Sequence, residues 1–190
     1  MQTQNNKGTL HIRIAVYGLK VVTNKIAALI RDGNPQTLNF IVNNKEIGED
    51  GWPGQKKSIT VVYSYDDGPL FIAAARESEV LTVGIKEFEK SNLAPRQTPV
   101  HEQRLSVLGA TYGPNDVTYK IKTLISPFNT LSFKADNFTF GDSWYGVAKT
   151  LIIILGFGKD VMLVEMFVER EQCYIDLKDF SLANYTVMIA

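Results

Sequence analysis

Short apolar stretches, separated by Gly, Asp and Asn, run along the whole chain. Residues 10–14 and 105–107 alternate apolar and polar positions, whereas Ser58–Tyr65 and residues 149–157 are runs of β-branched and aromatic residues. Both patterns, at these lengths, are typical of β-strands. The Gly and Asp residues that follow the two long runs predict hairpin turns, and a returning strand is expected after each turn.

Residues 38–42 and 131–133 predict two further short strands, and one stretch in each half has a helical pattern instead. Ile26, Leu29 and Ile30 have i, i+3, i+4 spacing within residues 23–30, and residues 118–125 repeat this pattern. A Thr begins each stretch, which predicts an N-cap. A strand is the alternative, because each stretch spans only about two helical turns.

The second half of the chain repeats the first in order, with the spacing between matches falling from 95 to 93 to 92 residues. The matched pairs include Ala15 with Ala110, Tyr17-Gly18 with Tyr112-Gly113, Thr23 with Thr118, Asn44 with Asn137, Gly48 with Gly141, Trp52 with Trp144, Lys57 with Lys149, and Glu77 with Glu169. So many ordered matches predict an internal duplication.

Each copy is therefore predicted to form one domain, over residues 8–92 and 102–190, joined by the polar, Pro-containing segment 91–103. Short strands with regular turn signals predict an all-β protein made of two tandem antiparallel β-sandwich domains. Each domain could also contain one short helix. The alternative is one merged sandwich in which the halves exchange strands.

Charge and terminal composition restrict the partners and the location. The 20 basic and 20 acidic side chains cancel, and the absence of a basic stripe predicts that nucleic acid is not a partner. The polar first eight residues contain no secretory signal, and the longest apolar run is too short for a transmembrane segment. A protein that is cytoplasmic, or secreted without a leader, is expected.

The apolar tail of residues 181–190 predicts a last strand. It pairs either within the chain or with another subunit, and in the second case the protein would be a homo-oligomer.

Residue patterns for catalysis and metal binding are lacking. His11 and His101 are not equivalent between the copies, and the single cysteine, Cys173, is predicted to be a small packed residue. Carboxylates two residues apart are interpreted as a solvated strand edge, with a glycosidase acid–base pair as the alternative: Glu77 with Glu79, and Glu169 with Glu171. We therefore predict a protein that is not an enzyme, with no catalytic residues, no metal and no cofactor.

A Gly-flanked loop with one tryptophan occurs in each copy, at residues 47–59 and 140–151. Proteins hold sugars by stacking an exposed aromatic ring on the sugar while carboxylate and amide groups bind the hydroxyls. The candidate ligand-binding residues are therefore Asn44, Glu49, Asp50 and Trp52 in the first copy, and Asn137, Asp142, Trp144 and Tyr145 in the second.

A structural interpretation of the same residues is the alternative. In that case each tryptophan covers the core, and Lys57 and Lys149 form salt bridges with the recurring Glu77 and Glu169. The asparagines would then occupy left-handed turn positions, and the Tyr-Gly pairs would pack at strand ends.

The second copy also contains a wider pattern: Ala-x-Tyr-Gly, Asp-Val-Thr, Asn-x-x-Phe-Gly-Asp, Gly-x-x-Lys-x-Leu and a late Glu. It stands at Ala110, Tyr112-Gly113, Asp116-Val117-Thr118, Asn137, Phe140-Gly141-Asp142, Gly146, Lys149, Leu151 and Glu169. These segments resemble the small β-rich domain found at the C-terminus of some DnaJ-type co-chaperones and as accessory modules. The first copy departs from the pattern, with Val21 in place of the Asp and a longer Trp loop. The resemblance implies a β accessory or interaction module rather than an enzyme.

We therefore predict a lectin-like binding protein with two related carbohydrate-binding sites, whose partner is a glycan or glycoprotein. The alternative is a protein-interaction or assembly module that forms homo-oligomers through sheet edges and the C-terminal strand.

Overall fold

The computed structural model describes residues 8–93, 105–157, 161–178 and 186–189, and these are mostly antiparallel β-structure. The first half of the chain contains, in order, β1 (Leu10–Tyr17), β2 (Lys20–Val21), α1 (Thr23–Ala27), β3 (Ile30–Arg31), β4 (Thr37–Ile41), α2 (Asn44–Ile47), β5 (Ser58–Tyr65), β6 (Phe71–Arg76), β7 (Val80–Val83) and α3 (Ile85–Leu93). The second half contains β8 (Leu105–Tyr112), β9 (Asn115–Asp116), α4 (Thr118–Thr123), β10 (Thr130–Lys134), α5 (Asn137–Phe140), β11 (Thr150–Phe157), β12 (Val161–Val168), β13 (Gln172–Asp176) and β14 (Thr186–Ile189).

The strands form four sheets, two from each half. Sheet I has the order β2-β1-β5-β6 and sheet II the order β3-β4-β7, while sheet III is β14-β12-β11-β8-β9 and sheet IV is β10-β13. Every pairing is antiparallel, and among the described strands none pairs with a strand of the other half. The exchange of strands between halves is therefore not seen in the described part of the chain.

Each half has its own apolar core between its two sheets. In the first half, buried residues of sheet I such as Ile59 and Val61 pack with Leu38 and Val83 of sheet II, and Ile26 of α1 closes the cluster. In the second half, Leu151 and Ile153 pack in the same way with Leu131 of sheet IV. Alternate residues of each long strand supply these cores, as the two-residue period of a strand requires.

A third apolar cluster joins the two halves through the opposite faces of sheets I and III. It contains Ile14, Val16, Val62, Ile152, Ile154, Met162 and Val164. The hydroxyls of Thr60 and Thr111 hydrogen-bond across this contact, where both residues are buried. Gly109 permits the close approach, because a Cβ there would lie 3.0 Å from Ile72 Cδ1. Both faces of β5 and β11 are therefore buried, which explains their nearly continuous apolar sequences.

The helical prediction is confirmed, although α1 and α4 end at Ala27 and Thr123, earlier than expected. The predicted threonine caps are wrong. Neither helix has a side-chain cap. Thr23 and Thr118 instead accept hydrogen bonds from the backbone N–H groups of Ala15 and Ala110, at 3.0 and 2.9 Å. Each threonine thus fastens its helix to the first strand of its half.

Three helices were not expected from the sequence, namely α2, α3 and α5. In α2 and α5 the N-caps are Asn43 and Asp136, whose side chains accept hydrogen bonds from the N–H groups of Glu46 and Thr139. Asn44 and Asn137 are the first helical residues. They do not occupy left-handed turn positions, so that interpretation is wrong.

The C-terminal segment forms β14, which pairs antiparallel with β12 inside the same chain. The prediction of a last strand is confirmed, and its pairing is internal.

The hairpin turn at Asp66 is also confirmed, with φ of 48°. The second predicted turn, at residues 158–160, lies outside the described residues. No helix in the described ranges is long and apolar enough to cross a membrane.

The contact between sheets I and III should contribute strongly to stability. We expect Ile154→Ala to lower the free energy of unfolding by about 2–5 kcal/mol, because Ile154 is fully buried in the cluster that joins the halves. Ile41→Ala is the control, since Ile41 is half exposed, and should cost less than about 0.5 kcal/mol. Chemical denaturation of the intact chain measures both. An equally small effect of Ile154→Ala would mean that the outer face of β11 is solvated.

Candidate functional site

The two Trp loops connect α2 to β5 and α5 to β11, and both are built in the same way. The carboxylate of Asp50 accepts a hydrogen bond from the Trp52 N–H at 3.1 Å, and Asp142 accepts from the Trp144 N–H at the same distance. Each acidic residue therefore shapes the turn that carries the indole. Gly54 and Gly146 follow with φ of 74° and 72°, a backbone conformation that glycine adopts without steric cost.

A buried lysine fixes each loop to the adjacent sheet. Only 4% of Lys57 and 2% of Lys149 is exposed. The Lys57 ammonium lies 3.1 Å from Asp50 and 3.4 Å from Glu77. The Lys149 ammonium lies 2.9 Å from Asp142 and 3.5 Å from Glu169. Burying an unpaired charge is costly in free energy. The two carboxylates offset this cost and stabilise the buried lysine.

A tyrosine and an asparagine complete each cluster. The Tyr17 hydroxyl lies 2.9 Å from Asn44 Oδ1 and 3.0 Å from Glu77 Oε1, and the Tyr112 hydroxyl donates to Asn137 Oδ1 at 3.0 Å. The lysine ammonium lies over the ring in each half, 5.2 Å from the Tyr17 centroid and 5.7 Å from the Tyr112 centroid. Burial raises the pKa of both phenols, and Glu77 and Glu169 raise it further.

The structural interpretation of the lysines, with Glu77 and Glu169 as partners, is thus confirmed. The predicted packing of the tyrosines is also confirmed, because both are fully buried at strand ends.

The predicted placement of the Glu pairs on a strand is wrong. They lie in the turns after β6 and β12, where Glu79 and Glu171 accept hydrogen bonds from the backbone N–H groups of Arg76 and Val168. Cys173 is buried as predicted, and burial raises its pKa to about 12.

The tryptophans are half-buried, so neither is a core residue and neither is freely exposed. The Arg76 guanidinium of the first half lies 5.6 Å from the Trp144 ring centroid, and Arg76 donates to the Ser143 carbonyl at 2.7 Å. Trp144 therefore lies at the contact between the halves, with one face against an arginine. The adjacent Tyr145 is 94% exposed.

A cavity of about 450 Å³ opens beside the second loop. We call it the loop cavity. It is lined by polar and small residues, including Asn137, Asp142, Gly146, Lys149, Glu169 and Arg170. Two of the predicted ligand-binding residues, Asn137 and Asp142, therefore share one concave surface, while Trp144 and Tyr145 are not among its lining residues.

Glu49 is the predicted site residue whose contacts differ most from expectation. Its carboxylate pairs with Lys20 at 2.6 Å and with Lys25 at 3.6 Å, rather than with the buried lysine of its loop. The hydrogen bond from Lys20 is the main cause of the lowered pKa of Glu49. Glu49 thus belongs to a surface salt bridge that joins β2, α1 and the loop.

Sequence reasoning did not assign Lys149, Glu169 or Arg170 to a binding surface. The signal was available for two of them, because the Lys and Glu recur at the spacing of 92 residues that also relates the tryptophans. Arg170 carries no such signal, since Ser78 stands at the matching position. Among the residues that the structure describes, no group of three or more His, Cys, Asp and Glu side chains could hold a metal ion.

No protein-family model, curated protein or solved structure matches this chain.

The ion pair of Asp142 with Lys149 should make stability depend on pH. The Lys149 ammonium lowers the pKa of Asp142 in the folded protein, so this contribution is present above the unfolded pKa of about 3.9 and is lost as the pH falls through the folded pKa. We expect Asp142→Asn to be less stable than the wild type at pH 6, and the difference to shrink towards pH 2–3.

Urea denaturation at a series of pH values measures this difference. Asp67→Asn is the control for removing an exposed carboxylate outside the clusters. A stability difference between the wild type and Asp142→Asn that stayed constant over the acidic range would contradict the ion pair with Lys149.

Proposed function

We propose that this protein is a non-enzymatic, lectin-like protein whose two halves are related binding units produced by an internal duplication, each a β-sandwich. The single observation that carries the proposal is the loop cavity. Its lining residues include Asn137, Asp142, Glu169 and Arg170, and its volume of about 450 Å³ is within the range of about 300–1,000 Å³ that is usual for small-ligand pockets.

The chemistry of the loop cavity suits the hydroxyl groups of a sugar. Asp142 and Glu169 supply carboxylate oxygens that accept hydrogen bonds, Arg170 supplies donors, and Asn137 can do both. The buried lysine pairs with both carboxylates, which keeps these oxygens in fixed positions before a ligand arrives. Binding groups held in place lose less conformational entropy when the ligand binds.

Tyr145 precedes the lining residue Gly146 in the loop and offers an exposed aromatic ring. Its ring is 94% exposed and follows Trp144 directly in the loop. Because one face of Trp144 lies against Arg76, Tyr145 has the more accessible ring for stacking on a sugar.

The first half has the same arrangement of Asn44, Asp50, Lys57 and Glu77, which supports a second, related site there. Two such sites in one chain would bind a multivalent glycan with avidity, because the second contact becomes intramolecular.

An interaction or assembly module is the second candidate, and the exposed aromatic residues of the second half favour it. Phe138 is fully exposed, and Tyr119, Phe128, Tyr145 and Tyr174 are each at least 65% exposed. Large exposed aromatic side chains are enriched at protein interfaces. The C-terminal strand supports this candidate less, because it pairs with β12 of its own chain. The resemblance to an accessory β module agrees with either kind of binding.

A glycan array followed by calorimetric titration of the best oligosaccharide tests the proposal. Arg170→Asn removes the guanidinium and its positive charge from a residue that lines the loop cavity. Asn tolerates the positive φ of 77° at this position, so the turn should be kept. We expect the affinity to fall about ten-fold, which corresponds to the loss of one charge-assisted hydrogen bond.

Ser78→Asn is the matched control, because Ser78 stands at the equivalent position of the first half with φ of 74°. It should leave binding at the loop cavity unchanged. Trp52→Ala and Trp144→Ala then test whether either indole contributes. The proposal would be rejected if no oligosaccharide on the array bound, or if Arg170→Asn bound the selected oligosaccharide as tightly as the wild type.

A further inference from the structure

A second cavity is lined by residues of β9, α4 and α5. We call it the α4 cavity. Its volume is about 500 Å³, and its lining includes Asn115, Asp116, Tyr119, Lys120 and Thr139. The side chains of these lining residues carry an amide, a carboxylate, an aromatic ring, an ammonium and a hydroxyl.

The first half has a salt bridge where the second half has this cavity. Asn115 and Lys120 match Lys20 and Lys25 at the spacing of 95 residues. Both of those lysines pair with Glu49, and the Lys25 ammonium also donates to the Gly48 carbonyl. The positively charged groups are therefore neutralised within the first half itself.

The second half has no carboxylate at the position that corresponds to Glu49. Gly48 matches Gly141 and Asp50 matches Asp142, so the shorter second loop has no residue that corresponds to Glu49. Within the described part of the chain, the Lys120 ammonium has no hydrogen-bond or ion-pair partner, although Asp116 lines the same cavity. The Asp116 carboxylate instead accepts a hydrogen bond from the Thr118 N–H at 2.8 Å.

An aromatic residue, Tyr119, lines the same cavity as Lys120. Tyr119 is 82% exposed, and the matching residue of the first half is Asn24. A tyrosine ring in this position can stack on the C–H face of a sugar, whereas an asparagine cannot. The second half therefore differs from the first in two ways at this cavity: it has no carboxylate that matches Glu49, and it has the ring of Tyr119 in place of Asn24.

We propose that the α4 cavity binds a saccharide that carries a carboxylate. The Lys120 ammonium pairs with the carboxylate of the ligand, which takes the place that Glu49 has in the first half. The Tyr119 ring stacks on the sugar, and Asn115 and Thr139 bind its hydroxyl groups. This inference rests on the proposed lectin function and adds to it a preference for acidic over neutral sugars, confined to the second half.

The experiment compares ligands that differ only in charge. Sialyllactose and a galacturonic acid disaccharide are each titrated into the intact protein as the carboxylate and as the neutral carboxamide, at low ionic strength. We expect the carboxylate form to bind about ten-fold tighter or more, and the preference to decrease as salt is added.

Three variants separate the contributions. Lys120→Gln should abolish the preference for the carboxylate form and leave the carboxamide affinity unchanged. Lys122→Gln, on the same helix, is the control for removing one exposed positive charge, and it should keep the preference. Tyr119→Ala should weaken both forms about equally, because stacking does not depend on the carboxylate charge.

Each outcome discriminates. Equal affinity for the two forms in the wild type, or an unchanged preference in Lys120→Gln, would overturn the acidic-sugar inference while the lectin proposal stood on its neutral ligands. If neither form and no neutral oligosaccharide bound, both proposals would be wrong. Loss of the preference in Lys122→Gln as well would reduce the effect to general surface charge and would also overturn the inference.

Discussion

A lysine ammonium buried beside a β-sheet has to be neutralised, and this requirement organises both Trp loops. In each half the ammonium brings together a loop aspartate and a glutamate from the turn after the neighbouring strand. The same aspartate shapes the loop by accepting the tryptophan N–H. One buried charge therefore fixes the loop, the turn and the sheet edge relative to one another. The positions of the candidate binding groups depend on this buried cluster of lysine, aspartate and glutamate.

Both halves contain this buried cluster, and they differ in the residues around it. Lys57 and Lys149 have equivalent partners, whereas the surface salt bridge of Glu49 has no counterpart among the described residues of the second half. At two positions the second half has an exposed aromatic residue where the first half has a polar one. Tyr119 matches Asn24, and Phe138 matches Lys45. This shared cluster agrees with a structural role for the lysine ion pairs, which hold Asp142 and Glu169 in place beside the loop cavity.

Much of the fold could be predicted from the sequence, because the periodicity of apolar residues in a strand or helix is visible in a short stretch of the chain. Ser58–Tyr65 has the bounds expected for it, and the helical stretches and the last strand are present. The contact between sheets I and III was not predicted, although the unbroken apolar runs of β5 and β11 are typical of strands buried on both faces. The role of Thr23 was also missed, since its partner, the Ala15 N–H, is a tertiary contact rather than a helix cap. Of the residues that line the loop cavity, Asn137 and Asp142 were proposed from residue type, while the position of Arg170 depends on how the turn folds.

Hydrogen–deuterium exchange of the intact protein and of Lys149→Met tests most directly whether the buried ammonium holds the loop. Met keeps much of the side-chain volume but leaves Asp142 and Glu169 without their cation. We expect the amides of residues 141–149 to lose protection, while β11 and the first-half loop at residues 48–57 keep theirs. Unchanged protection of residues 141–149 would show that the loop is held by other contacts, and the buried lysine would not be the organising interaction.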